Sequence, residues 1–155
     1  MKMEQTDMRN RIRPDGKAKV TGRLTYLTDL KMPGILYGKI LRSAHAHAKI
    51  RAIHPEKASQ IPGVHAVLTY KDVPGLNGFG IIMPDQPVLC WDRVRYVGDA
   101  IACVAAETKE IAAYALTCIE VDYEPLPVID TLEKALDSSY PALHSSGNIL
   151  HEAGH

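Results

Sequence analysis

Ala100-Ile101-Ala102-Cys103-Val104-Ala105-Ala106 carries no polar side chain. A short unbroken apolar run of this kind reads as a strand buried on both faces. Thr108 follows at the position of a helix N-cap. Ile111, Ala112, Ala115, Cys118 and Ile119 then recur at spacings of three and four. That period predicts an amphipathic helix to about residue 119 with one buried stripe. Residues 120–124 alternate in polarity and stop at Pro125, the pattern of a further strand.

Toward the N-terminus, residues 93–97 predict a strand joined to the apolar run by a tight turn at Gly98-Asp99. Residues 71–80 hold Pro74, Gly75, Gly78 and Gly80 and read as a loop, and 83–87 is irregular too. Strands are predicted over 64–70, 46–53 and 34–42, with a short helix from His54-Pro55-Glu56 to Gln60. A first strand is expected near 24–27, and residues 1–19 read as an extended polar arm with a Pro14-Asp15-Gly16 turn. Toward the C-terminus, Thr131 opens a last helix to Asp137. Strands and short helices mix without a regular βαβ rhythm, which makes the fold class α+β.

The composition sets bounds. The chain has 155 residues, 46% hydrophobic and 23% charged, which suits one globular domain. No apolar run reaches about 18 residues, so no membrane span is expected. Met1 to Arg13 lacks the apolar core of a secretory signal. Lys plus Arg and Asp plus Glu number 18 each, without the basic excess of a nucleic-acid binder. That balance hides an asymmetry: residues 1–60 carry 13 basic and 5 acidic side chains, and 61–155 carry 5 and 13. Either the two halves complement each other on folding, or the basic half meets an acidic or phosphate-bearing partner; composition does not place charges in space, and the first is the simpler reading.

Motifs with chemistry are few. Cys90, Cys103 and Cys118 are an odd set without a C-x-x-C pair, so neither a zinc ribbon nor an iron–sulfur cradle is indicated. Cys103 and Cys118 read as small core residues, and without a signal peptide a reducing cytoplasm is the simplest compartment. His151-Glu152-Ala153-Gly154-His155 matches H-E-x-x-H. A zinc site needs that motif on a helix with a third ligand, and Gly154 together with the terminal position of His155 argues for a chance match. His45 and His47 would share one side of a strand, as an interfacial pair or a metal edge that lacks a third ligand. Glu120, Asp122 and Glu124 also share one strand face, read as a solvated face ahead of an acid–base or cation site. No Gly-rich phosphate cradle or G-x-S-x-G elbow is seen. The residues by themselves nominate no catalytic, cofactor-binding or metal-ligating position.

The order of short segments is more telling. Val20-Thr21-Gly22 precedes Pro33-Gly34-Ile35-Leu36-Tyr37-Gly38-Lys39. Leu41-Arg42-Ser43-Ala44-His45-Ala46-His47-Ala48, Ile61-Pro62-Gly63-Val64 and Asp72-Val73-Pro74 follow. Val94-Arg95-Tyr96-Val97-Gly98-Asp99 and Val121-Asp122-Tyr123-Glu124-Pro125-Leu126-Pro127 complete the series. This series resembles the α/β-hammerhead domain that begins the molybdopterin-binding large subunit of the xanthine dehydrogenase and aldehyde oxidase family. Two departures are local turn changes: Ala44 stands where the family usually has proline, and Asp99-Ala100 where it has Glu-Pro.

The resemblance implies a mixed sheet packed with a few short helices over residues 13–150. Residues 1–12 would form a flexible arm, and 151–155 a tail leading toward molybdopterin-binding domains. It implies a parent oxidoreductase that hydroxylates purines, other N-heterocycles or aldehydes with oxygen from water, as in purine metabolism. Electrons would pass to 2Fe–2S clusters and FAD. The family's pterin-binding segments and catalytic glutamate match no residue here. The chain is therefore expected to be scaffold that binds no cofactor and is inactive alone. Its partners would be the molybdopterin, Fe–S and FAD domains or subunits, with no nucleic acid and no membrane. Asn148-Ile149-Leu150 reads as a lead-in to further sequence, so apolar surface facing such domains is expected to be exposed, and self-association is one way to cover it. A free-standing assembly or binding module on the same fold is the alternative.

Overall fold

The computed structural model describes residues 13–81, 83–149, 151, 152 and 154; the arm read over 1–12 lies outside them. The chain divides into two compact units between Ile35 and Leu36. In the first unit, the turn at Pro14-Asp15 leads straight into a helix, α1 (Gly16–Val20), and not into an extended arm. Asp15 organises this helix. It pairs with Arg13 and, at 3.0 Å, with Lys19 one turn on. Hydrogen bonds from Arg13 and Lys19 hold the Asp15 carboxyl below its ordinary range. The strand expected near 24–27 does not form. The Leu24 N–H turns back to the Ala18 carbonyl at 3.0 Å, and residues Leu27–Asp29 make one 3-10 turn, with the Tyr26 N–H donating to the Asp29 carboxylate at 3.0 Å.

The second unit holds β1 (Tyr37–Arg42), β2 (Ala48–His54), α2 (Glu56–Ser59), β3 (Val64–Leu68), β4 (Arg93–Val94), β5 (Ala100–Ala106), α3 (Lys109–Thr117), β6 (Glu120–Pro125) and α4 (Leu132–Leu136). The strands form two antiparallel sheets, in the orders β1-β5-β3 and β4-β2-β6. The apolar run is thus a central strand, as its composition requires.

The tight turn at Gly98-Asp99 does not make a hairpin. β4 pairs with β2 and β5 pairs with β1 and β3, so this turn carries the chain from one sheet to the other. Gly98 has φ +99°, a left-handed conformation that suits glycine. The other crossing, from β1 to β2, passes beside it. The Gly98 N–H donates to the Ser43 carbonyl at 2.8 Å, and the Ser43 N–H donates to the Asp99 carbonyl at 2.9 Å. Arg42 donates to the Gly98 carbonyl at 2.7 Å.

Alternation along β5 sends neighbouring residues to different cores. Ala102, Val104 and Ala106 face α3, where they pack with Ala58, Ala112, Ala115 and Ile119. Ile101 joins Ala48, Ile50, Cys90 and Val94 beneath the other sheet. The expectation of burial on both faces holds at Ile101 and Ala102 but not farther along, where Cys103 and Ala105 are half-buried. Alanines at 112 and 115 let α3 lie close to the strands. Thr108 caps it, its hydroxyl accepting the Ile111 N–H at 3.1 Å. Thr131 caps α4 in the same way.

Candidate functional site at the crossing of the two sheets

Both chain crossings meet in a knot of buried polar groups. Ser43, His47 and Asp99 are each less than 5% exposed. Such groups are costly to bury unless hydrogen-bonded. The Asp99 carboxylate accepts the Arg95 backbone N–H at 2.9 Å. The Ser43 hydroxyl accepts the His45 N–H at 2.9 Å and donates back to the His45 carbonyl at 3.0 Å. Cys90 is fully buried beside them. Burial, with the Asp99 charge as the next cause, pushes its thiol up to about 12. A thiol held neutral is neither a good nucleophile nor a good metal ligand. These groups are engaged in fixing where two segments cross.

The two histidines part company. The backbone from 43 to 47 is a turn and not the start of a strand, because the chain bends around Ser43 and the β2 ladder begins only at Ala48. The His45 ring leans on the Tyr123 ring, centroids 4.5 Å apart. His47 lies buried with Nδ1 at 2.7 Å from the Pro127 carbonyl, so Nδ1 carries the proton and donates. Its Nε2 has no hydrogen-bond partner among the described residues. The expected shared face is not formed.

The three carboxylates of β6 do share an outer face, and each meets a basic side chain from β2 or α2. Glu124 pairs with Arg51 and Lys49, Asp122 with His54 at 3.2 Å, and Glu120 with Lys57. This is the solvated strand face expected from the alternation. It also answers part of the charge asymmetry locally, since basic residues below 60 face acidic ones above it. His151, Glu152 and Gly154 are not helical; Ala153 and His155 lie outside the described residues. Among the described residues, no three His, Cys, Asp or Glu side chains gather as metal ligands would.

One pair was not legible in the sequence. His144 Nδ1 sits 3.2 Å from the Asp85 carboxylate, at the edge of an open cleft of about 420 Å³ that Met83, Leu143 and Ser146 also line. No described hydrogen bond links the Ser146 hydroxyl to His144, so the three do not act as a triad. The pairing joins two irregular segments far apart in the chain, and no spacing rule signals it.

Two antiparallel sheets sharing a central region, with helices on one of them and the buried polar groups occupied at the crossing, define a small α+β domain. The chain belongs to the aldehyde oxidase and xanthine dehydrogenase a/b hammerhead domain family, whose model matches residues 21–127. It is 62% identical over 144 residues to a probable xanthine dehydrogenase subunit of Bacillus subtilis, covering 93% of this chain and 19% of that protein. It is 43% identical over 147 residues to the nicotinate dehydrogenase large molybdopterin subunit of Eubacterium barkeri, covering 95% of this chain and 34% of that one. The aldehyde oxidoreductase structure from Desulfovibrio gigas superposes with a TM-score of 0.79 at 37% identity, over 86% of this chain and 16% of that chain. The chain thus spans between about a sixth and a third of the length of these relatives. No described helix is long and apolar enough to cross a membrane.

Proposed function

We propose that this chain is the supporting N-terminal domain of a xanthine dehydrogenase-like molybdenum hydroxylase. The domain proper runs over 13–150, with 1–12 as an arm and 151–155 as the approach to molybdopterin-binding domains. The observation that carries this reading is 62% identity across 93% of the chain to a probable xanthine dehydrogenase subunit. The parent enzyme would hydroxylate a purine, another N-heterocycle or an aldehyde with oxygen from water. Fe–S and FAD domains or subunits would take the electrons, in the cytoplasm.

The cysteines present do not fit a 2Fe–2S cluster of such an enzyme. A 2Fe–2S cluster takes four cysteine thiolates, and the chain has three cysteines, of which Cys90 is held neutral. Cys103 lies in β5 and Cys118 at the end of α3. Among the described residues, the buried His47 Nε2 has no hydrogen-bond partner and joins no group of three metal-ligating side chains. No step of the reaction is therefore assigned to this chain, and no residue of it is proposed to touch substrate.

The test is a chimera in which this chain replaces the matching 144 residues of the full-length Bacillus subtilis relative. The expected result is retention of that relative's molybdenum and turnover. The isolated chain should show no xanthine-dependent turnover and no bound molybdenum. A chimera that assembles without molybdenum, or stoichiometric molybdenum in the isolated chain, overturns the reading.

A further inference from the structure

We propose that the face of the β1-β5-β3 sheet opposite α3 is the seat of an apolar helix from the parent polypeptide outside this chain. The proposal rests on the parent-enzyme reading above. The antiparallel register fixes which residues share this face. Ile40 and Leu68 lie opposite Cys103, and Gly38 and Ala66 lie opposite Ala105. Directly opposed residues point the same way. The partners of Val104 and Ala106 point to α3, and these six point away from it.

Every one of the six is apolar, and none belongs to either core. Ile40 and Leu68 are more than 40% exposed, and Cys103 and Ala105 are half-buried. The molecule's other broad faces look different. The outer side of the β4-β2-β6 sheet carries the ion pairs of Lys49, Arg51, His54 and Lys57. The outer side of α3 carries Lys109 and Glu110 beside Tyr114. None of these six residues is charged; Arg42 and Glu107 follow two residues beyond Ile40 and Ala105, where the strands end.

Size decides among occupants. Three strands about 4.8 Å apart, with about four residues each at about 3.4 Å per residue, present roughly 200 Å². A stable association of separate molecules needs about 800 Å² per partner. A second copy of this chain seated here would bury too little. A segment tethered in the same polypeptide meets the face at high effective concentration and needs far less area. The relatives contain that polypeptide, since this chain spans 19% of the Bacillus subtilis protein. A helix is the element that fits. The sheet already takes α3 on its other side through alanines, and Gly38, Ala66 and Ala105 offer an equally shallow bed.

Cys103 is a built-in reporter at the centre of this face, and Cys118, at the end of α3, is the internal standard. The experiment alkylates native protein with iodoacetamide and reads both sites by mass spectrometry, in this chain alone and in the full-length chimera. The expected result is a Cys103 rate, relative to Cys118, at least tenfold lower in the chimera. The double substitution Ile40→Lys and Leu68→Lys should restore the rate. In the isolated chain it should leave the thermal midpoint unchanged, which shows that the variant folds.

Equal Cys103 rates in the two proteins, in a chimera that keeps molybdenum and turnover, overturn the proposal and leave the parent-enzyme reading intact. Protection that appears in the isolated chain as its concentration rises identifies a second copy as occupant and also overturns it. A chimera with neither protection nor molybdenum overturns both.

Discussion

The two sheets have the same strand count and the same antiparallel pairing, yet they meet water differently. The β1-β5-β3 sheet is bound on one side to α3 by apolar contact; its other side is packed at Ile101 and presents a bare apolar surface beyond it. The β4-β2-β6 sheet has one packed side and one side covered with cross-strand ion pairs. Antiparallel sheets with one wet face read as alternating sequences, and strands enclosed on both faces read as apolar runs. β6 obeys the first rule with Glu120, Asp122 and Glu124. β5 follows the second rule although Cys103 and Ala105 are half-exposed here. The composition of β5 is that of a strand enclosed on both sides, and this difference makes its bare face informative.

The contrast is hit hardest at Ile101, which leaves the first sheet to fill the core under the second. Ile101→Ala should cost about 3 kcal/mol through lost burial and an unfilled cavity, read as a fall in the urea midpoint. A loss below about 1 kcal/mol would mean the two cores are not joined through this side chain. Gly63→Ala is expected to rank next. Gly63 sits at φ +84°, and an added Cβ would lie 2.8 Å from the Ile111 side chain. A left-handed conformation costs an L-residue roughly 1–2 kcal/mol, and displacing Ile111 loosens α3 as well. Thr108→Ala removes the cap of the same helix and should cost about 1 kcal/mol, with Thr108→Ser restoring most of it. Both variants set the sheets further apart if they destabilise the first while amide exchange in β2 and β6 stays slow.

What was legible in the sequence was local. The apolar run at 100–106, the Thr cap at 108, the start of the last helix at 131 and the stripe of α3 are each settled within a few residues. Pairing partners were not. The Gly98-Asp99 turn has the composition of a hairpin, and only the competition of β1 and β3 for β5 converts it into a crossing between sheets. Strand ends were read too long where turns intervene. The Gly34 turn delays β1 to Tyr37, and the bend at Ser43 delays β2 to Ala48. The same bend took His45 and His47 off the strand on which their spacing would have aligned them. The family was legible because many short segments recur in order. The bare apolar face was not, since Ile40, Leu68 and Cys103 meet only through the register of three strands.

The slightest change belongs to the wet face of the second sheet. A hydrogen bond from Lys57 holds the Glu120 carboxyl below its ordinary range, and the same bond raises the Lys57 ammonium. A depressed carboxyl contributes stability that is fully present above the unfolded value of about 4.3. That contribution disappears as pH falls through the lower folded value. A raised ammonium behaves oppositely: its contribution is present below the unfolded value of about 10.4 and is lost as pH rises through the folded one. The pair is therefore at full strength across the neutral range and weakens at both extremes. Both groups stand in water, so the effect is small and added salt reduces it. Titration followed by NMR should find the Glu120 midpoint below that of a free glutamate, and Lys57→Met should return it toward the free value. A midpoint indifferent to Lys57 would leave the outer face of β6 without the cation that distinguishes it from the bare face of β5.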